Sequence, residues 1–325
     1  MKNVFEQVDS NKRKSAAVVA VFAAVVAVSV YFLAMGMAAY TSAKSGSAFG
    51  GGRIGGIGMI GVAMIVSGVM SLGGYWFSDR IVLGLSGARP ADKRRDFQLF
   101  TVTENLSMAA GLPMPRLFVI DDTAPNAFAT GRDPRHAAVC ATTGLLAKLD
   151  RTELEGVIAH ELSHVGNYDT RLMSVVTVLA GMVVLLGDWF LRMSWYGRGE
   201  NQGDRGNQGD RGMGAIFIVI GLIFAILSPI VAQLIQLAIS RRRELLADAA
   251  GVKLTRQPDG LARALVKING DREPLEAANK ATAHLYIMNP LKNRHDAIGW
   301  FAGLFNTHPP LKERLRQLNE MGAGI

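Results

Sequence analysis

The chain has 325 residues, 49% of them hydrophobic and only 19% charged, with a positive mean hydropathy, a balance too apolar for an ordinary soluble domain that puts part of the chain in lipid. The net charge of +8 would suit nucleic acid or an anionic membrane surface; Lys and Arg cluster beside apolar runs and no aromatic-basic module accompanies them, so a membrane surface is favoured and nucleic acid is not. A single cysteine, Cys140, leaves no internal disulfide and no cysteine-based zinc cluster, and its expected role is that of a small buried apolar residue.

Taken in chain order, Ser15 to Ala43 carries no charge and exceeds the roughly 20 residues that cross a bilayer. It is too long for the apolar part of a cleaved signal peptide and is expected to stay as an anchor. Ile54 to Ser78 is also uncharged and rich in small residues, which let helices approach closely in lipid. Residues 1–78 therefore read as a transmembrane hairpin. Leu172 to Gly187 is a shorter span that Trp189 and Phe190 can extend at an interface, and Met213 to Ser240 is a fourth, with Pro229 inside it. Lys12, Arg13 and Lys14 precede the first span; Arg80, Lys93, Arg94 and Arg95 follow the second; Arg241, Arg242 and Arg243 follow the fourth. Positive flanks face the cytoplasm, so 79–171 and 241–325 lie on one side and are expected to form one catalytic domain. The pair over 172–240 carries, on the other side, the polar repeat NQGDRG at Asn201 and again at Asn207, expected to be a flexible connector.

Within 79–171, Asp96 to Ala110 has helical character, and RLFVID, Arg116 to Asp121, has the β-branched and aromatic content of a strand. NAFATG, from Asn126, and HAAVCATTGLL, from His136, supply two further short strands. The fold class expected is α+β: a mainly helical multi-pass membrane protein whose catalytic part sets a small sheet beside a helix pair. The first helix of that pair begins at Thr152, with Glu155 three residues on as a capping box.

That helix carries GVIAHELSHVGNYD. His160 and His164 are one turn apart on one face and can converge on one ion. Glu161 points about 100° away, so it flanks the ion as a base able to take a proton from water and return it to a leaving amine. A third ligand is needed. The extended pattern with a further Gly and His fails, because Asn167 and Thr170 stand in those places. Asp188, Glu200, Asp204 and Asp210 are separated from the histidines by roughly 30 Å of hydrocarbon. The next acid is Glu244, with Asp248 one turn later to accept the N–H of a ligand histidine. Surface ion pairs with Arg241 to Arg243 are the alternative for these two; beside His160 and His164 the ligand reading prevails.

AHELSH, RRRELLADAAG, NAFATG and THPPLKERL resemble the HtpX-like membrane metallopeptidases, zinc endopeptidases of the gluzincin group related to the CaaX prenyl proteases. The resemblance covers nearly the whole chain and departs from the family where Leu245 replaces a frequent tyrosine. It implies one Zn²⁺ on His160, His164 and Glu244, Glu161 as general base, and degradation of misfolded or damaged membrane proteins at the bacterial inner membrane. In similar proteins NAFATG lies by the substrate cleft. Asn126, Ala127 and Phe128 are therefore candidates to receive an extended substrate through main-chain hydrogen bonds, or simply part of a hairpin strand of the fold. His308 and Arg314, around the stiff Pro309 and Pro310, could stabilise an oxyanion or be capping and surface groups. A scaffold with a structural zinc, closed by His308, and a processing enzyme for lipid-modified tails are the other readings that remain. The chain has no apparent nucleotide-binding P-loop to power unfolding of a substrate.

Overall fold

A computed structural model describes residues 73–178, 241–278, 282–288, 290 and 309–322, with scattered positions between 13 and 69. The spans expected at Ser15 to Ala43 and Ile54 to Ser78 lie largely outside these residues, as does most of Leu172 to Gly187; Met213 to Ser240, the NQGDRG repeat and His308 lie wholly outside them. Among the described residues no helix is long and apolar enough to cross a membrane.

Helix α1 (Ser78–Leu85) leads through β1 (Arg89–Pro90) to α2 (Phe97–Ala110). Gly111 ends α2 in the left-handed region, φ 65°, where a residue without a Cβ is unstrained. The chain then enters β2 (Arg116–Ile120), β3 (Ala127–Thr130) and β4 (Ala138–Thr142), which with β1 form a four-stranded sheet in the spatial order β1-β2-β4-β3. The middle pair, β2 and β4, is parallel; β1 and β3 flank it antiparallel, with Phe128 opposite Cys140 and Ala129 opposite Val139.

Successive side chains alternate between the two faces of a strand, and both faces here are covered. Val119, Ala127, Ala129 and Val139 join the larger apolar cluster with Val157, Ile158 and Leu162. Ile120, Phe128 and Cys140 point the other way, to Met173, Leu285 and Tyr286. Cys140 is thus a buried apolar position. Burial pushes its thiol pKa well above the ordinary range.

HAAVCATTGLL is a strand only over Ala138–Thr142, since the chain turns directly into α3 (Thr143–Lys148). Thr142 ends the strand because its hydroxyl accepts the N–H of Leu145 as an N-cap. Gly144 permits the turn: a Cβ there would sit 1.9 Å from the Thr123 carbonyl oxygen.

The long helix α4 (Arg151–Gly166) starts before the Thr152 expected from the sequence. Its capping box is Asp150 with Glu153: the Asp150 carboxylate accepts the Glu153 N–H at 2.9 Å, and Glu153 accepts the Asp150 N–H at 2.9 Å. An ionised carboxylate at that end also meets the positive end of the helix dipole, an advantage a threonine lacks.

Helices α5 (Arg241–Thr255) and α6 (Pro258–Gly270) pack on α4, and α7 (Leu311–Gly322) packs on α5 and α6, so residues on both sides of 179–240 share one core. Leu154, Val157, Ile158, Leu162 and Val165 of α4 are each fully buried, and burying a side chain of this size contributes about 1.5–3 kcal/mol. The helical stretch 169–178 is buried from Thr170 to Val178 except at Arg171. Ser174 bonds Thr130 and the Gly131 N–H, and Thr177 meets His284 at 3.0 Å. The first turns of the expected third span are therefore held by protein.

Candidate metal centre

The capping box and apolar packing fix α4 rigidly, and His160 and His164 leave it on the face that meets α5. Gly251 lets α5 come close: a Cβ there would lie 3.2 Å from the His160 backbone nitrogen. That approach brings Glu244, in the first turn of α5, to both histidines. The two Nε2 atoms are 3.2 Å apart, and the Glu244 carboxylate oxygens lie 3.8 Å from His160 Nε2 and 3.6 Å from His164 Nε2. An ion bonded tetrahedrally to two nitrogens at 2.0–2.1 Å holds them about 3.3 Å apart. The three side chains therefore fit one metal ion, and among the described residues they are the only such group.

The four side chains are almost wholly buried: His160 is 1% exposed, Glu161 3%, Glu244 2% and His164 5%. Burial is the first cause of the Glu161 shift, which is pushed up to about 7 against the pull of His164 and of a hydrogen bond from the Ala129 N–H. Burial also depresses His160, against the carboxylate of Asp248. For His164 burial acts downward, but the bond to Asp169 and the charges of Glu244, Asp169 and Glu161 outweigh it and raise the pKa to about 9.

A model of the peptidase family M48 matches residues 93–322. The chain belongs to peptidase family M48. Curated relatives of the chain bear the name "Protease HtpX homolog". That of Tropheryma whipplei (strain Twist) is 46% identical over 248 residues, covering 76% of this chain and 80% of its own. That of Dictyoglomus thermophilum is 40% identical over 318 residues, covering 98% and 95%. The crystal structure of S. mikatae Ste24p matches 80% of this chain and 58% of its own at 18% identity and a TM-score of 0.43, too loose a likeness to carry an inference. As an M48 member the protein is a metallopeptidase.

In this M48 peptidase each histidine is backed by a buried carboxylate. Asp248 Oδ1 lies 2.9 Å from His160 Nδ1, off the line of the ring N–H. Arg314 holds Asp248 with two bonds of 2.6 and 2.8 Å. Burial works against the Asp248 charge, but the guanidinium and His160 outweigh it and lower the pKa to about 2. On the other side Asp169 Oδ2 is 3.1 Å from His164 Nδ1, and Arg243 donates to Asp169 Oδ1 at 3.3 Å. Sequence reasoning missed both of these residues. Asp169 ends the very stretch quoted for the histidines, but only the turn at Tyr168, whose φ of 59° is left-handed, folds it back onto His164. Arg243 counted as one of three flanking charges; Arg241 and Arg242 are exposed while it is buried.

The remaining candidates separate. Arg314, fully buried, spends its guanidinium on Asp248 and on the Ile287 carbonyl. Asn126 and Ala127 lie at the outer edge of β3, where the Ile287 N–H donates to the Ala127 carbonyl at 3.0 Å and the Asn126 amide donates to the Met288 carbonyl at 3.0 Å. Phe128 faces away from α4 and stacks edge-on against Tyr286, centroids 5.1 Å apart. β3 is thus paired with β4 on one side and touched by the 287–288 backbone on the other.

Proposed function

We propose that this M48 metallopeptidase is a membrane-bound zinc endopeptidase that hydrolyses peptide bonds of misfolded or damaged membrane proteins on the cytoplasmic side of a bacterial inner membrane. One observation carries the reading: three convergent ligand side chains lie beside a buried carboxylate whose pKa is near neutrality. His160, His164 and Glu244 would hold the ion, a nitrogen and oxygen donor set suited to zinc. Bound there, zinc supplies Lewis acidity toward the scissile carbonyl.

The chain's own residues do the rest. Glu161 takes a proton from the attacking water as its oxygen bonds the carbonyl carbon, then gives that proton to the amine as the C–N bond breaks. A pKa of about 7 suits both transfers. The Ala129 N–H orients the carboxylate, and Asp248 with Arg314 keeps His160 in place. Recognition of extended main chain by Asn126 and Ala127 requires a substrate to displace the backbone of Ile287 and Met288, which these two residues bond in this structure.

Placement at the membrane, with four spans and both termini cytoplasmic, is supported by the uncharged runs and the Lys and Arg flanking them. The test is Glu161→Gln against the wild type in detergent, with bound zinc and cleavage of an unfolded membrane-anchored substrate read from one preparation. About one zinc in each, with cleavage only by the wild type, is the expected result. Zinc in both and cleavage by both would remove Glu161 as the base.

A further inference from the structure

We infer that Asp169 and Arg243 are positioning residues for His164: together they hold its imidazole with the proton on Nδ1 and Nε2 turned to the metal position, and so set how tightly the metal is kept. The inference rests on the metal reading above. His164 Nδ1 lies 3.1 Å from Asp169 Oδ2, and the other Asp169 oxygen receives Arg243 Nη1 at 3.3 Å. With both oxygens engaged the carboxylate cannot swing, and it keeps the proton on Nδ1, so that the proton given up when a metal binds is the one on Nε2, whose lone pair then faces the metal position. That is the atom 3.2 Å from His160 Nε2 and 3.6 Å from Glu244. The other tautomer would aim an N–H into the same place.

Stability alone does not account for this arrangement. Asp169 is 1% exposed and Arg243 5%, and a buried ion pair often stabilises a fold no better than apolar side chains of similar volume. What it contributes is direction. The arrangement is also repeated, from different elements, by His160, Asp248 and Arg314. Of the two carboxylate–histidine contacts, the one at His164 is the better aligned hydrogen bond.

Position strengthens the case. Asp169 opens the helical stretch 169–178 and Arg243 directly precedes the ligand Glu244 on α5. The pair therefore ties the two chain segments on either side of 179–240 together at the metal position, locking His164 of one to Glu244 of the other. Loss of such an outer partner typically costs 10–100-fold in metal affinity or activity.

The experiment uses the full chain in detergent. Asp169→Asn, Arg243→Met and Arg243→Lys are compared with the wild type by zinc competition against a chelator, the visible absorption of the cobalt-substituted protein, and kcat and KM separately. Asp169→Asn and Arg243→Met are expected to weaken zinc binding roughly 10–100-fold, shift the cobalt spectrum and lower kcat more than KM, with Arg243→Lys recovering most of the affinity. Folded variants with wild-type zinc affinity and cobalt spectrum overturn the inference while leaving the metal reading intact; a wild type that takes up no zinc overturns both. Nitrogen-15 spectra of the zinc-loaded wild type give a check that needs no variant: a His164 proton on Nδ1 supports the inference, and a proton on Nε2 ends it.

Discussion

Replacing Arg314 by methionine removes the two bonds of 2.6 and 2.8 Å that hold Asp248 and leaves a fully buried carboxylate without its cation. Breaking one half of a buried ion pair costs about 3–5 kcal/mol. At about 2–4 °C per kcal/mol for a domain of this size, the melting temperature should fall by about 6–20 °C. The pH dependence gives a second handle on the same pair. Asp248 is lowered from 3.8 to about 2 in the folded protein, so its charge stabilises the fold by roughly 2–3 kcal/mol. A depressed carboxylate contributes fully above its unfolded pKa and loses its contribution as the pH falls through the folded one. The wild-type advantage should therefore be complete above about pH 5 and shrink from pH 4 toward 2. Melting of the detergent-solubilised protein is followed with chelator present, so that lost metal binding does not add to the difference. The double variant Arg314→Met/Asp248→Asn removes the stranded charge and should melt well above Arg314→Met alone. A single variant within about 1 kcal/mol of wild type, or a double variant no better than the single, refutes the reasoning.

Metal uptake by the metal-free protein near pH 7 should release about one proton, because His164, raised to about 9, is protonated without the ion and must be neutral to bind it. Apparent affinity should then rise about tenfold per pH unit up to about pH 9; calorimetry in buffers of different ionisation enthalpy reads the proton count. Gly144→Ala should not fold to the native state, because its Cβ would lie 1.9 Å from a carbonyl oxygen, as limited proteolysis and circular dichroism would show. Thr142→Val removes a buried hydroxyl that accepts the N–H groups of Asn126 and Leu145 and donates to the Ala124 carbonyl. Leaving those groups unpaired should cost about 2–4 kcal/mol, readable as a loss of thermal stability at unchanged metal content. Gly251→Val should separate α5 from α4 at the His160 backbone, 3.2 Å from the added Cβ, and so weaken metal retention more than it changes helix content.

Local patterns made the three convergent side chains, His160, His164 and Glu244, legible in the sequence. Two histidines one turn apart share a helix face whatever surrounds them, and charge and hydropathy narrowed the third ligand to Glu244. β2 was legible because β-branched and aromatic content in a short run marks a buried strand. The end of β4 was not: Thr142 is an ordinary strand residue by composition, and only the proximity of Leu145 and Thr123 makes it a cap and a turn. The start of α4 was missed because two overlapping acidic capping patterns compete, and Asp150 also meets the helix dipole. The chain by itself determined which groups can bind a metal and move a proton, since these follow from residue type and helical spacing. Only the tertiary structure decided their surroundings. That Arg314 backs Asp248, that Phe128 faces away, and that Asp169 and Arg243 meet across 74 positions of sequence all depend on helix crossings and a left-handed turn at Tyr168. Contacts between distant segments are settled by the packing of the whole core, and local spacing does not encode them.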